Sequence, residues 1–593
     1  MNKRNWLSWT GILLLTLWWG CEKDNFSDGL PTDEDITEIT NVTSDYTVAS
    51  VMADNEMGHE QNGDDTWDNS AEMNIVLNGN SITTDAPTVT IDGTLAIITD
   101  AGTYHITGSL NDGQIVVETS GEGTVRLILD GINIYNSTSA PLYVAESEKT
   151  IIFLKDGTES FLSDGSNYVF PDADEDEPNA TLFSKDDLSI YGNGTLTITA
   201  NYNDGITSKD GLIIGSGTIN VTAVDDGIRG KDYLIIKDGH YTIDAGGDGL
   251  RSSNDEEAAL GYVYIQDGEF NIDSGADAIQ GVTDVLIETG DFSIVSGGGS
   301  SANSTNDTSK GLKAGVHLVI DNGTFDINSY DDALHSNNNV CINDGDFQIS
   351  TKDDGIHGDS TLSINGGTIV ITKSYEGIES RVLVINSGNI HVTSSDDGLN
   401  VAGGNDGSAG GHFGGGPISS GSGDYYMIIN GGYIYVNASG DGLDANGSIE
   451  MTGGTVLVNG PTAQNNGALD YDRSFTLTGG FLVAVGSSGM AQAPGSTSTQ
   501  NSVLVRFSST QSAGTLVNIT ASNGDELLTF KPAKNYQSLV FSSPELQSGT
   551  SYTVYYGGSH SGTEKDGLYS EGTYSPGTTF ANFSVSGAVT TVR

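Results

Sequence analysis

From Met73 onward, short apolar runs such as Ile75 to Leu77, Leu95 to Ile98, Ile115 to Val117, Val125 to Leu129 and Ile151 to Leu154 are separated by Asp-Gly, Asn-Gly and Gly-Ser turns. Alternation with a period of about two, bounded by turn residues, predicts strands, and no stretch sustains a helical period. The expected fold class is all-β.

The strands recur at a fixed interval. An Asp-Gly-Ile or Asp-Gly-Leu motif starts at Asp204, Asp226 and Asp248, returns as Asp277-Ala278-Ile279, and continues at Asp332, Asp354, Glu376, Asp397 and Asp441. Degenerate copies are Lys310-Gly311-Leu312 and Gly467-Ala468-Leu469. The basic interval is 22 residues, and longer ones contain insertions at Asn254 to Ala259, Gly297 to Asp307 and Gly403 to Gly423. Such a period is too short for a propeller blade and too strand-rich for a leucine-rich repeat, but it suits one coil of a parallel β-helix. Stacked coils would set equivalent residues in columns roughly 4.8 Å apart, giving a rod on the order of 50 Å for the repeats.

This pattern divides the chain. Residues 1–20 read as a signal peptide, 21–70 as a flexible acidic tether, 71–180 as N-terminal coils, 181–500 as the motif-bearing repeats, and 501–593, where the period is lost, as a C-terminal β cap or small β domain.

Composition narrows the function. The 593 residues carry 23 Lys plus Arg against 79 Asp plus Glu, a formal net charge of −56, which argues against nucleic-acid binding. Charged residues are 17% and hydrophobic residues 36%, so the protein is folded rather than an acidic tail. Lys3 and Arg4, the apolar run Gly11 to Trp19, and Gly20-Cys21 resemble a bacterial lipoprotein signal, which implies export and a lipid on Cys21 as the membrane attachment, at the outer membrane or cell surface. Cys341 is the other cysteine, so no disulfide framework is expected.

Stacked carboxylates repel unless a cation lies among them. Asp204, Asp226 and Asp248 form one such column, and Asp332, Asp354, Glu376 and Asp397 another. Asp225, Asp331, Asp353 and Asp396 supply second aspartates, and Asp441 continues the series. Asp-Gly is also plain turn chemistry, but a turn needs only one aspartate. Clusters of Asp204, Asp225, Asp226 and Asp248, and of Asp331, Asp332, Asp353, Asp354 and Glu376, offer the six to eight oxygens Ca²⁺ prefers. Calcium is the expected ion.

The runs Asp204-Gly-Ile-Thr-Ser-Lys-Asp210, Asp225-Asp-Gly-Ile-Arg-Gly-Lys-Asp-Tyr233 and Gly247-Asp-Gly-Leu-Arg-Ser-Ser-Asn254 resemble the bacterial carbohydrate-binding β-helix family. So do Gly440-Asp-Gly-Leu-Asp444, Asn459-Gly-Pro-Thr462, Gly467-Ala-Leu-Asp-Tyr471 and Gly489-Met-Ala-Gln-Ala-Pro494. The resemblance covers nearly everything from residue 73. It implies a right-handed parallel β-helix, binding of cellulose or polygalacturonate, and calcium sites like those of family 9 pectate lyases, carried first by Asp204, Asp225, Asp226 and Asp248, then by Asp353, Asp354 and Asp397. The pattern departs at Lys310, Ala276, Tyr375 and Gly440.

Sugar rings stack on aromatic faces. Trp67 is the one tryptophan beyond the signal, so Tyr425, Tyr426, Tyr433 and Tyr435, with Tyr262 and Tyr264 as a second group, are the candidate platforms; strand packing is the alternative for each. We read the chain as a monomeric, non-catalytic polysaccharide binder. The alternatives are a calcium-dependent pectate lyase, with Lys209 or Lys231 as base, and a calcium-stiffened adhesin.

Overall fold

The computed structural model describes residues 46–170, 176–303, 308–402 and 425–593. The signal, Cys21, the first part of the tether and the insertion Gly403 to Gly423 lie outside the described residues. Those described are strands and turns apart from the helix Val48–Met52 and the 3-10 turn Asn69–Ala71. The all-β expectation holds, in a large sheet dominated by parallel pairing.

Each repeat contributes three strands, and each strand pairs in parallel with its counterpart in the next repeat. In the repeat that starts at Asp226 these are Ile228–Gly230, Tyr233–Ile236 and His240–Ala245, which pair with Leu250–Ser252, Tyr262–Ile265 and Glu269–Ser274. The register crosses the insertions: Leu399 pairs with Leu443 and Val382 with Tyr426 although the segment 403–424 intervenes. The ladder is therefore intact across the insertion.

Alternation along the longest strand of each repeat turns one set of side chains inward. Tyr241, Phe270, Phe292, Phe325 and Phe347 lie in register and stack with centroids 4.6 to 4.8 Å apart and planes within 5°. Ile243, Ile272, Ile294, Ile327 and Ile349 follow two residues later, all buried. Burying one such side chain is worth roughly 1.5 to 3 kcal/mol, and the column repeats the gain in each repeat.

The middle strand of each repeat behaves differently. Its outward residues Ile213, Ile235, Tyr264, Leu286, Val319 and Cys341 also form a column and are mostly apolar. Residues from 46 to 67, expected to belong to a flexible tether, cover it. Val48 and Val51 pack on Leu286, Val319 and Cys341, and Gly58 lies so close to Ile235 that a Cβ there would sit 2.7 Å from its Cδ1. His59 bonds Tyr233 and Ser189, each at 2.8 Å, and Trp67 meets Phe153 at 4.7 Å. Lys149 and Asp64 form a buried ion pair. The tether reading fails from residue 46 because an apolar outer face requires a cover.

Beyond the last repeat the pairing changes sense. Tyr536–Ser542 runs antiparallel to both Phe481–Gly486 and Ser502–Gln511, so the open edge of the final strand is occupied. A separate six-stranded sheet shares a second apolar core with Leu457, Val483 and Val485 on the outer face of the last repeats.

Candidate functional site

The motif aspartates from Asp204 to Asp354 are buried, Asp397 and Asp441 are half-buried, and one oxygen of each is committed to the backbone. Asp226 Oδ1 accepts the N–H of Asp248 at 3.0 Å, Asp248 Oδ1 that of Asp277 at 2.9 Å, and Asp277 Oδ1 that of Lys310 at 2.8 Å. Asp332 serves Asp354, and Asp354 serves Glu376, at 3.0 and 3.1 Å. Lys310 has no carboxylate to offer, and there Asp331 Oδ1 takes the N–H of Asp332 instead, at 3.0 Å. The series Asp397 to Asp441 to Gly467 repeats the bond.

The position three residues after each motif aspartate forms a second column beside the first, and its charge changes along the protein. It begins with Thr207, turns basic at Arg229 and Arg251 and, after Gln280, Lys313; it passes through His335 and His357; it ends with Glu379, Asn400, Asp444 and Asp470. Hence the two expected clusters differ from one another and from a third.

At the first cluster an intramolecular cation is already present. Arg251 Nη1 lies 3.2 Å from Oδ2 of both Asp226 and Asp248, and Lys313 Nζ lies 3.3 Å from Asp277 Oδ2. Burial, with help from neighbouring Asp226, still pushes Asp204 up to about 7; burial and the Asp277 charge do the same to Asp248. At the second, Lys310 Nζ sits 2.8 Å from Oδ2 of both Asp331 and Asp332. Burial disfavours the Asp332 anion, but Lys310 and His335 outweigh it and hold that carboxyl well below the usual range.

Among the described residues the third cluster has no such partner. Ligand oxygens of Asp397, Asp441 and Asp444 all lie within 4.8 Å of one another. Burial first, then the charges of the others, pushes Asp397 to about 7 and Asp444 to about 8; burial and Asp470 bring Asp441 to about 6. Asn400, in register with Asp444, is 5% exposed, and its Oδ1 is buried without a hydrogen-bond partner. Gly440 stands where other repeats have a first aspartate. A Cβ there would lie 2.3 Å from Oδ1 of both Asp396 and Asp397, so the glycine makes room for the two carboxylates below it. The donor set is all oxygen, which suits a hard cation such as Ca²⁺. Asp444 was missed in the sequence because only the motif position and its predecessor were followed.

The tyrosines are placed less favourably for stacking on a glycan. Tyr433 carries Lys565 Nζ 3.7 Å over its ring and donates to Asp566 at 2.8 Å, while Tyr435 meets His391 at 5.6 Å. Both pack against the C-terminal core, and Tyr425 packs against the inner one. Tyr426 is half-buried; Tyr262 is fully buried, and Tyr264 lies under the N-terminal segment. The larger exposed ring near the acids is Tyr375, 44% exposed, which hydrogen-bonds Asp396. Of the two lysines weighed as a base, Lys209 is held in an ion pair with Glu177 at 2.7 Å.

The fold is a repeated parallel ladder with a column of carboxylates interrupted at Lys310. The chain belongs to the family described as carbohydrate-binding domain-containing protein, whose sequence profile matches residues 91–355 and 350–574. A relative of that same description from Acetivibrio thermocellus is 45% identical over 126 residues, 21% of this chain and 44% of the relative, so the match spans less than half of the relative's length. A solved structure described as the polysaccharide lyase-like protein from C. thermocellum, a gadolinium derivative, is 35% identical over 42% of this chain and 96% of that one, with a TM-score of 0.37.

Proposed function

We propose that this protein is an exported, lipid-anchored polysaccharide binder, built as a right-handed parallel β-helix, that holds Ca²⁺ at Asp397, Asp441 and Asp444 and uses it to engage acidic plant-type glycans such as polygalacturonate. The observation that carries the reading is the convergence of these three carboxylates, with no protein cation and no partner for Asn400 Oδ1 among the described residues. Family membership supports the carbohydrate part.

An acidic protein and an acidic polymer repel at long range. A bound divalent cation reverses the local sign and offers open coordination positions to uronate carboxylates. Asp397, Asp441, Asp444 and Asn400 would hold the ion, and Tyr375 would lie beside the bound chain. Cellulose, which is uncharged, would bind without the bridge. For the lyase reading, Lys209 is engaged with Glu177, which leaves Lys231 as the candidate base.

The test is retention of the mature protein on polygalacturonate and on cellulose, with calcium and with chelator, while unsaturated uronide is followed by absorbance. Calcium-dependent retention on polygalacturonate without absorbance supports the proposal. Absorbance growing with time would replace it with a lyase, and no retention on either polymer would leave an adhesin.

A further inference from the structure

The middle of the acidic column contains nitrogen donors that a calcium site does not need. His335 and His357 are adjacent in register and their rings stack with centroids 5.0 Å apart. His335 Nδ1 lies 2.8 Å from Asp332 Oδ2, and its Nε2 lies 2.9 Å from Asn337 Oδ1. His357 Nδ1 lies 3.1 Å from Asp354 Oδ2 and 3.6 Å from Glu379 Oε2, and its Nε2 lies 3.0 Å from Asp359 Oδ1. Each ring therefore meets an oxygen at both nitrogens, whereas a neutral imidazole has one N–H. With the Nε2 protons given to Asn337 and Asp359, both Nδ1 atoms face carboxylate oxygens, and either a second proton on each ring or a metal ion must lie between them.

The geometry points to a divalent transition-metal ion, of the Zn²⁺ or Co²⁺ type, held by His335 Nδ1, His357 Nδ1 and Asp332, with Asp354 and Glu379 as further carboxylate ligands. The ligand atoms of Asp332, His335 and His357 lie within 4.8 Å of one another, as do those of Asp354, His357 and Glu379. Tetrahedral zinc sets its ligand atoms about 3.3 Å apart, so the observed 2.8 to 3.6 Å separations need small adjustments. Asn337 and Asp359 are the outer partners that fix the tautomer, an arrangement usual for metal-bound imidazole. Imidazole selects zinc-like ions over calcium, which takes oxygen. Lys310 Nζ meets the same Asp332 Oδ2 at 2.8 Å and neutralises one charge, which leaves Asp354 and Glu379 as the excess carboxylate for a divalent ion. The site is chemically distinct from the all-oxygen cluster at Asp397, Asp441 and Asp444, and it does not depend on the carbohydrate reading.

The experiment adds Co²⁺ to the full mature protein after chelator treatment and desalting, and records its visible ligand-field absorption. We expect saturable bands at one ion per chain that Zn²⁺ removes and excess Ca²⁺ does not. His335→Ala should abolish them, a loss beyond the roughly 10- to 100-fold expected for an outer-shell partner such as Asn337. Should His335→Ala fail to fold by circular dichroism, His335→Gln is read in its place. Absence of bands in the wild type, bands displaced by Ca²⁺, or bands unchanged in the folded histidine variant would each overturn the proposal. Calcium-dependent retention on polygalacturonate is measured on the same variant and reports on the other cluster separately.

Discussion

The carboxylate of Asp226 accepts the backbone N–H of Asp248, one repeat away, while its second oxygen meets Arg251. A motif aspartate is thus a coupling between repeats before it is a ligand. Asp226→Ala should leave the Asp248 N–H buried without a partner and cost about 1 to 3 kcal/mol. Asp226→Asn keeps an acceptor oxygen and should cost less. Thermal unfolding of the two variants, in chelator, checks the order.

The buried pair Lys149 and Asp64 pins the N-terminal segment to the strands. Asp64→Ala would leave a buried ammonium uncompensated, a loss of about 3 to 5 kcal/mol. Deletion through residue 67 should also expose the Ile213 to Cys341 column and produce association visible by light scattering. A monodisperse deletion variant of unchanged stability would show that the segment is dispensable.

Calcium-free protein should lose stability as pH rises from about 4 to 8. The folded-state values of Asp204 and Asp248, about 7, and of Asp397, Asp441 and Asp444, about 7, 6 and 8, all lie above the unfolded values near 4. Between those limits the folded form binds more protons than the unfolded one, so raising pH favours unfolding. Melting in chelator at pH 5 and pH 8 should show the drop. Calcium should shrink it, because the ion binds the deprotonated carboxylates.

Gly440→Ala places a Cβ against Asp396 and Asp397. The expected result is weaker calcium binding by calorimetry with the circular dichroism spectrum retained. Ser439→Ala, at the exposed preceding residue, is the control.

The repeat, the all-β class and the stacking of Asp204, Asp226 and Asp248 were legible in the sequence because a 22-residue period puts equal residues in equal places. Which carboxylates meet a protein cation depends on Arg251 and Lys313, three positions after the motif residue, and on Lys310 at the motif position itself; the Asp-Gly repeat alone does not show the first two. Asp332-Ala-Leu-His335 and Asp354-Gly-Ile-His357, one repeat apart, were readable as paired Asp-x-x-His motifs. Runs such as Leu234-Ile235-Ile236 lack alternation, which signalled strands covered on both faces and hence a cover for the outer one. The burial of Tyr433 and Tyr435 was not legible, since it depends on the distant Lys565 and Asp566.

The most direct measurement compares wild type and Asp444→Asn for retention on polygalacturonate across a calcium titration, with cellulose as the uncharged reference. The account predicts that the variant needs far more calcium for retention on polygalacturonate while its retention on cellulose is unchanged. Equal calcium dependence in the two proteins, with both folded, would contradict it.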